Sequence, residues 1–352
     1  MSEQFSGTKE VSEKLAFNLE DLNIYLEKKD INIGNILNYE QFKGGQSNPT
    51  YLLTSENNKY VLRRKPPGKL LKSAHAVDRE YRVLTALMQT EVPTPKTYHL
   101  CENDDVIGTA FYIMEYCDGN IYWDPLAKEI EKERRSVIFD EMNQGIALLH
   151  QQDYQALGLA DYGKEGNYIE RQTSRWTKQY LDSETEKIDA MHSLIDWIPN
   201  KIPQQKYTSI VHGDYRLDNV RVKDNKVAAV LDWELCTLGD PLADMGTVIA
   251  SWNTKKEKDS PFIYSPTLSG GFPTREDVIK LYLNNSNLDL KDIEFYTRLS
   301  YWKHAMIMEG VYIRYSMGSY GKTNENEIES FKDSTIKFAN KAANKNLLEE
   351  IT

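Results

Sequence analysis

A chain of 352 residues, 40% hydrophobic and 27% charged, is long enough for two lobes with a real core and has an ordinary soluble composition. Its formal net charge of -10 excludes a general nucleic-acid binder, because affinity for a phosphate backbone needs clustered Lys and Arg. Three cysteines without a short spacing, Cys101, Cys117 and Cys236, exclude a disulfide framework or zinc knuckle, and no apolar run approaches the roughly 18 residues of a membrane span.

The opening MSEQFSGTKEV lacks the basic start and apolar core of a signal peptide, so the expectation is a cytoplasmic protein. NLEDLNIYLEKK places Leu19, Leu22, Tyr25 and Leu26 on one helical face behind an Asn18 cap. KGGQSN, Lys43 to Asn48, is a glycine-bearing turn, and YLLTSENNKYVLRRK then reads as two strands around Glu56, Asn57 and Asn58. Ser73 to Gln89 is helical, with Glu80 on the face of Val83, Leu84 and Leu87, until VPTP stops it. TAFYIMEYCDG is a buried strand ending in a loop, in which Met114 reads as core.

Beyond residue 117 the pattern is mostly helical: 126–151, 168–182, 185–197, 241–252, 275–285, 292–317 and 324–347. The Ser-, Pro-, Gly- and Lys-rich stretch 253–274 reads as a mobile surface loop. Sheet-rich and then helix-rich sequence predicts an α+β architecture of two lobes, residues 1–116 and 117–352, with a cleft between them.

One hairpin interrupts the helices. NVRV and VAAVL flank Lys223, Asp224, Asn225 and Lys226, so Asn219 and Asp232 fall at the same open end, offset by about two residues. Asp214 follows the apolar run Ser209 to Val211 and Gly213, which permits a sharp turn. Singly, such residues are ordinary turn formers and strand ends. Together, oxygen-bearing side chains with no Cys or His pair suit magnesium, which takes its remaining ligands from water and phosphates. Asp-x-x-x-x-Asn followed by an apolar strand ending in Asp is also the order in which kinases place base, metal-binding amide and metal-binding carboxylate.

HGDYRLDN, VLDWE and GDPLADMG resemble the aminoglycoside phosphotransferase and choline kinase-like proteins, which have a protein-kinase-like fold. The resemblance runs from FKGGQSNPTYLL through YVLRRKPPG, SAHAVDREYRVLTAL, VPTP, FYIMEYCDG and ALLH to those motifs. Its nearest branch is the kinase-like domain associated with acyl-CoA dehydrogenases. The resemblance implies a magnesium- and ATP-dependent phosphotransferase in which Asp214 accepts the proton of the acceptor hydroxyl and Asn219 and Asp232 hold the metal.

His212, Asp240 and Asp244 become supporting residues, Asp240 also reading as the cap of a helix whose first residue is Pro241. Arg63 stands where kinases place a cation against the nucleotide phosphates, with Glu80 as its partner, although Arg64 and Lys65 compete for the register. Gly45, Ser47 and Asn48 sit where a phosphate-covering loop belongs, and Glu115 and Tyr116 where backbone groups meet adenine.

Only eight residues separate Asp232 from Pro241, too few for the segment on which protein kinases dock peptides, so the acceptor is a small-molecule alcohol. No nucleic acid or membrane is expected as a partner. Trp176, Tyr180, Trp302 and Arg314 are candidates for its site, and would suit an acceptor with an apolar body and an anionic end, such as a hydroxy acid or hydroxyacyl-CoA. An aminoglycoside, amino-alcohol or sugar kinase is the alternative. A nucleotide-binding pseudokinase is another, against which the intact Asp214, Asn219 and Asp232 speak.

Overall fold

The computed structural model describes residues 5–44, 48–68, 75–253, 257, 260–262, 265–318, 324–344 and 347. A short strand β1, Thr8–Lys9, precedes helix α1, Leu19–Lys28. Strands β2, Ile36–Phe42, β3, Thr50–Ser55, and β4, Lys59–Arg64, lead to helix α2, Val77–Leu87. Then come β5, Thr97–Cys101, β6, Phe111–Glu115, and the helices α3, Lys132–His150, α4, Tyr168–Leu181, and α5, Asp189–Trp197. Strands β7, Ser209–Val211, β8, Val220–Lys223, β9, Lys226–Val230, and β10, Thr237–Gly239, are followed by helices α6, Leu242–Ser251, α7, Arg275–Asn285, α8, Ile293–Ser316, and α9, Glu325–Ala343. Among the described residues no helix is long and apolar enough to cross a membrane.

The chain divides into two compact units: residues 1–148, 152–162 and 216–236 form the first, and residues 149–151, 163–215 and 237–352 the second. In the first, an antiparallel sheet runs β1-β2-β3-β4-β6-β5. Strand alternation gives it two distinct faces. Tyr51, Leu53, Tyr60, Leu62, Phe111 and Ile113 form a core with Leu22 and Leu26 of α1. Each such side chain contributes about 1.5–3 kcal/mol on burial. Their neighbours Leu52, Val61, Arg63, Tyr112 and Met114 line a pocket instead. Asn18 caps α1 by accepting from the Glu20 N–H at 2.9 Å.

The β8–β9 hairpin completes this unit. Asp224 and Asn225 have φ of 51° and 66°, the positive pair a two-residue hairpin turn requires, and Val220 pairs with Val230. In the second unit, β7 pairs antiparallel with β10, and the Thr274–Asp277 capping box starts α7.

Three expected helix bounds move: α3 starts at 132 rather than 126, α5 at 189 rather than 185, and α9 ends at 343 rather than 347. Before α3, Ala127 adopts φ 49° in a turn closed by its N–H to the Asp124 carbonyl, which no α-helix accommodates. The expectation of a mobile surface loop at 253–274 is also corrected where residues are described. Asn253, Ser260 and Ser265 are buried, Pro266–Ser269 forms a 3-10 turn, and Glu257 pairs with Arg275 at 2.9 Å. A Ser- and Asn-rich stretch reads the same whether its side chains meet water or backbone, as the Ser265 hydroxyl does on the Ser251 carbonyl at 2.5 Å.

Candidate active site

A pocket of about 600 Å³ lies in the first unit. Leu52, Val61 and Met114 from the sheet, Leu84 from α2 and Val230 and Leu231 from the hairpin make its walls apolar. Met114, expected as core, is buried but faces this cavity, because alternation in β6 turns it away from Phe111 and Ile113.

Charge concentrates at one end. The buried Arg63 donates from Nη2 to Asp232 Oδ1 at 2.8 Å, and the same nitrogen is 3.5 Å from Glu234. Its Nε lies 2.8 Å from Glu80 Oε2, an ion pair too far out of line to be a hydrogen bond. Glu80 is steadied by the Asn48 amide, 3.0 Å from Oε1, and by the Tyr112 hydroxyl, 3.1 Å from Oε2. Burial pushes the Glu80 carboxyl up to about 7 against the pull of Arg63. Burial works to lower Arg63, but Glu80, Tyr112, Asp232 and Glu234 outweigh it and hold the guanidinium charged. The register among the three basic residues is clear. Arg64 turns to the other face and donates to the Ile107 carbonyl at 2.8 Å, while Lys65 lies 3.6 Å from Asp78.

Asn219 and Asp232 both line this pocket. Leu231 donates its N–H to the Asn219 carbonyl at 2.8 Å, which locks the open end of the hairpin. Asp232 is left-handed, φ 62° and ψ 63°, a costly conformation for a non-glycine residue that aims its carboxylate toward Arg63 rather than along the strand. Buried Trp233 anchors the turn by donating from Nε1 to the Val230 carbonyl at 3.0 Å. Among the described residues no group of three or more His, Cys, Asp and Glu is placed to hold a metal. One amide oxygen and one carboxylate beside a cation fit a hard ion that draws other ligands from phosphate and water.

Glu115 and Tyr116 edge the pocket, and the Tyr116 ring lies under Arg221 at 4.9 Å and Lys59 at 5.8 Å. Asn48 is fully buried behind Glu80 and outside the lining, so its amide orients that carboxylate. Gly45 and Ser47 lie outside the described residues. The sequence reading missed Tyr112, Trp123 and the Phe5–Thr8 segment, which also line the pocket, and Glu234, which lies beside Arg63. Phe5 sits 5.7 Å from Trp123, and a Cβ on Gly44 would come within 2.7 Å of the same indole. No motif marks such contacts, although the dipeptide Gly44-Gly45 signals a close approach.

Asp214 belongs to the second unit, where its backbone is held from several sides. Its N–H donates to His212 Nδ1 at 3.2 Å, and His212 is fully buried. Asp244 accepts the His212 N–H at 2.7 Å and the Gly213 N–H at 2.9 Å, and lies 3.2 Å from His150 Nε2. Gly213 has φ +84°, where a side chain would be strained. Asp240 accepts from the Leu242 N–H at 3.0 Å, a capping contact, and from the Tyr296 hydroxyl at 2.6 Å.

The expected acceptor residues do not form one surface. Tyr180 and Trp302 are enclosed in helix packing, Trp176 is half-buried against Trp302 and Arg314 is exposed. Two further arginines of the same helices, α8 and α4, are committed to backbone: Arg298 holds the Ala342 and Asn344 carbonyls and Arg171 holds those of Lys164 and Gly166.

Residues 38–262 match the phosphotransferase enzyme family. The chain belongs to that family. It is 42% identical over 311 residues to acyl-CoA dehydrogenase family member 10 of Mus musculus, covering 85% of this chain and 28% of that protein. A crystal structure of a candidate aminoglycoside phosphotransferase from Ralstonia eutropha superposes with a TM-score of 0.80 at 40% identity, over 93% of this chain and 98% of the other. Aminoglycoside phosphotransferase APH(4)-Ia, solved as a ternary complex with AMP-PNP and hygromycin B, shares the fold at 11% identity and a TM-score of 0.60, covering 91% and 98%. The family member described here thus has the protein-kinase-like α+β fold. It spans between 28% and 42% of the length of the curated relatives it matches.

Proposed function

We propose that this phosphotransferase is a small-molecule kinase that moves the γ-phosphoryl of Mg-ATP to an alcohol. One observation carries the reading: Arg63, its Glu80 partner, Asn219 and Asp232 share the wall of a single apolar pocket. The apolar slot takes the purine beside Glu115 and Tyr116, and Arg63 meets the phosphates. Asn219 and Asp232 would hold magnesium, which neutralises phosphate charge when bound.

The acceptor oxygen forms a bond to the γ-phosphorus as the bond from that phosphorus to the β–γ bridging oxygen breaks. ADP leaves with the electron pair, and the hydroxyl proton goes to the Asp214 carboxylate. A carboxylate suffices because phosphoryl transfer has a loose transition state, in which orienting the hydroxyl matters more than removing its proton. The His212 ring and the Asp244 carboxylate hold that loop by accepting its backbone N–H groups, and Asp240 fixes the start of α6, which carries Asp244.

The acceptor we favour is a hydroxy acid or its acyl-CoA thioester, supported by the likeness to proteins named as acyl-CoA dehydrogenase family members. An aminoglycoside or amino alcohol is the second reading, supported by the name of the 40%-identical solved neighbour. Calorimetry tests the nucleotide half: wild type binds Mg-ATP, and Asp232→Ala loses the magnesium dependence. A transfer screen over hydroxy acids, hydroxyacyl-CoAs, amino alcohols, sugars and aminoglycosides tests the rest, with Asp214→Asn abolishing turnover. Nucleotide binding with no transfer to any of them would instead mark a pseudokinase.

A further inference from the structure

Lys303, on α8, reaches the peptide bond that introduces Asp214. Its ammonium donates to the Gly213 carbonyl at 3.2 Å and lies 5.5 Å from the centroid of the Trp176 ring. Trp176 in turn meets Trp302, the residue before Lys303, with 6.2 Å between ring centroids. Trp302 is fully buried with its indole N–H unpartnered, so this aromatic wall is fixed by packing and not by polar contacts.

The face of a tryptophan is what a protein offers to the ammonium of a cationic ligand. Here the chain's own lysine takes that place, at the backbone of the residue next to the proposed base. A second cation brought there would face Lys303 at close range, and like charges set against each other reject a partner strongly. The same ammonium also restrains catalysis-relevant backbone. Gly213 gives its N–H to Asp244 of α6 and its carbonyl to Lys303 of α8, so the two peptides that meet at Gly213 are each gripped by a side chain from a different helix, and Lys303 holds the one that leads into Asp214.

We propose that Lys303 is the positioning and specificity-determining residue of the acceptor end: it fixes the Gly213–Asp214 peptide and selects alcohols that carry an anionic group over alcohols that carry an ammonium. This rests on the kinase reading above and separates its two acceptor classes.

Wild type, Lys303→Met, Lys303→Gln and Lys303→Arg are compared with Mg-ATP and four probes: hydroxybutanoate, its coenzyme A thioester, choline and an aminoglycoside. Turnover is followed with Mg-ATP and acceptor binding with Mg-ADP. Wild type is expected to bind and phosphorylate the anionic pair at least 10-fold better than the cationic pair. Both neutral variants raise KM for the anionic acceptors about 10-fold, lower kcat and narrow the discrimination, while Lys303→Arg restores it and KM for ATP stays within about twofold. Having two neutral substitutions guards against one that fails to fold, which a melting curve identifies.

Equal selectivity in wild type and neutral variants overturns the assignment, as does a wild type that prefers choline or the aminoglycoside or binds neither anionic probe. Calorimetry on the same wild-type sample keeps the two ideas apart. Absent Mg-ATP binding sinks the kinase reading itself, whereas normal binding with unchanged selectivity sinks only the role of Lys303.

Discussion

Asp240 and Asp244 are both buried, four residues apart around the start of α6, yet they depart from the ordinary aspartate range in opposite directions. Burial raises Asp240, and one hydroxyl and one N–H do not offset it. Burial also works to raise Asp244, but the His150 ring and the His212 N–H outweigh it and hold the carboxyl low. A depressed folded value means that Asp244 contributes stability above the ordinary aspartate value, about 3.9, which is lost as pH falls through the lower folded value. Asp244→Asn should therefore cost about 2 kcal/mol at pH 7, the scale of hydrogen bonds to a charged group, and that deficit should shrink below about pH 4. Denaturant melts of both proteins from pH 3 to 8 measure it; a deficit that stays constant with pH contradicts the ionised role. Asp240 has the reverse sign, its contribution present at low pH and lost as pH rises through its raised value.

At the scale of elements, α6 and α8 approach so closely that only glycine fits at position 246. A Cβ there would meet the Tyr296 backbone carbonyl at 2.5 Å, and backbone cannot yield as the end of a side chain can. Gly310, also in a helix, differs: its Cβ would meet only Arg314 Nη1, at 3.4 Å. Gly246→Ala should destabilise by about 1–3 kcal/mol or more, and Gly310→Ala should stabilise by up to about 1 kcal/mol from helix propensity alone. Thermal melts of the pair decide, and similar effects from both would contradict the close approach. The sequence marks Gly246 only as the end of the GDPLADMG motif and Gly310 not at all, since what distinguishes them is a partner helix some 50 residues away. The hairpin, by contrast, was legible because its turn chemistry is local, and Asn219 and Asp232 followed from counting outward. Glu80 was legible as a buried-side carboxylate wanting a cation, whereas Asn48 and Tyr112, which steady it, carry no signal beyond being polar in an apolar setting. Lys303 is invisible for the same reason: a lysine in a helix reads as solvated until its partner carbonyl is known.

For the whole molecule, both units are assembled from separated stretches, so no single cut in the sequence yields them. The first becomes complete only when residues 216–236 return to it with Asn219 and Asp232, and every residue lining the pocket belongs to that unit. A ligand that binds only the folded form stabilises it by mass action, about 2.7 kcal/mol at 100 times its Kd. With Mg-ATP at that excess, amides of β4, β6 and the β8–β9 hairpin that exchange through unfolding of the first unit should slow by about 100-fold. Those of α8 and α9, which lie in the second unit, should keep their rates. Hydrogen exchange read by mass spectrometry distinguishes the two sets, and Asp232→Ala should remove the magnesium-dependent part of the slowing in the first. Equal slowing across α8 and α9 would mean that the units open together and would contradict the assignment of the nucleotide to the first alone.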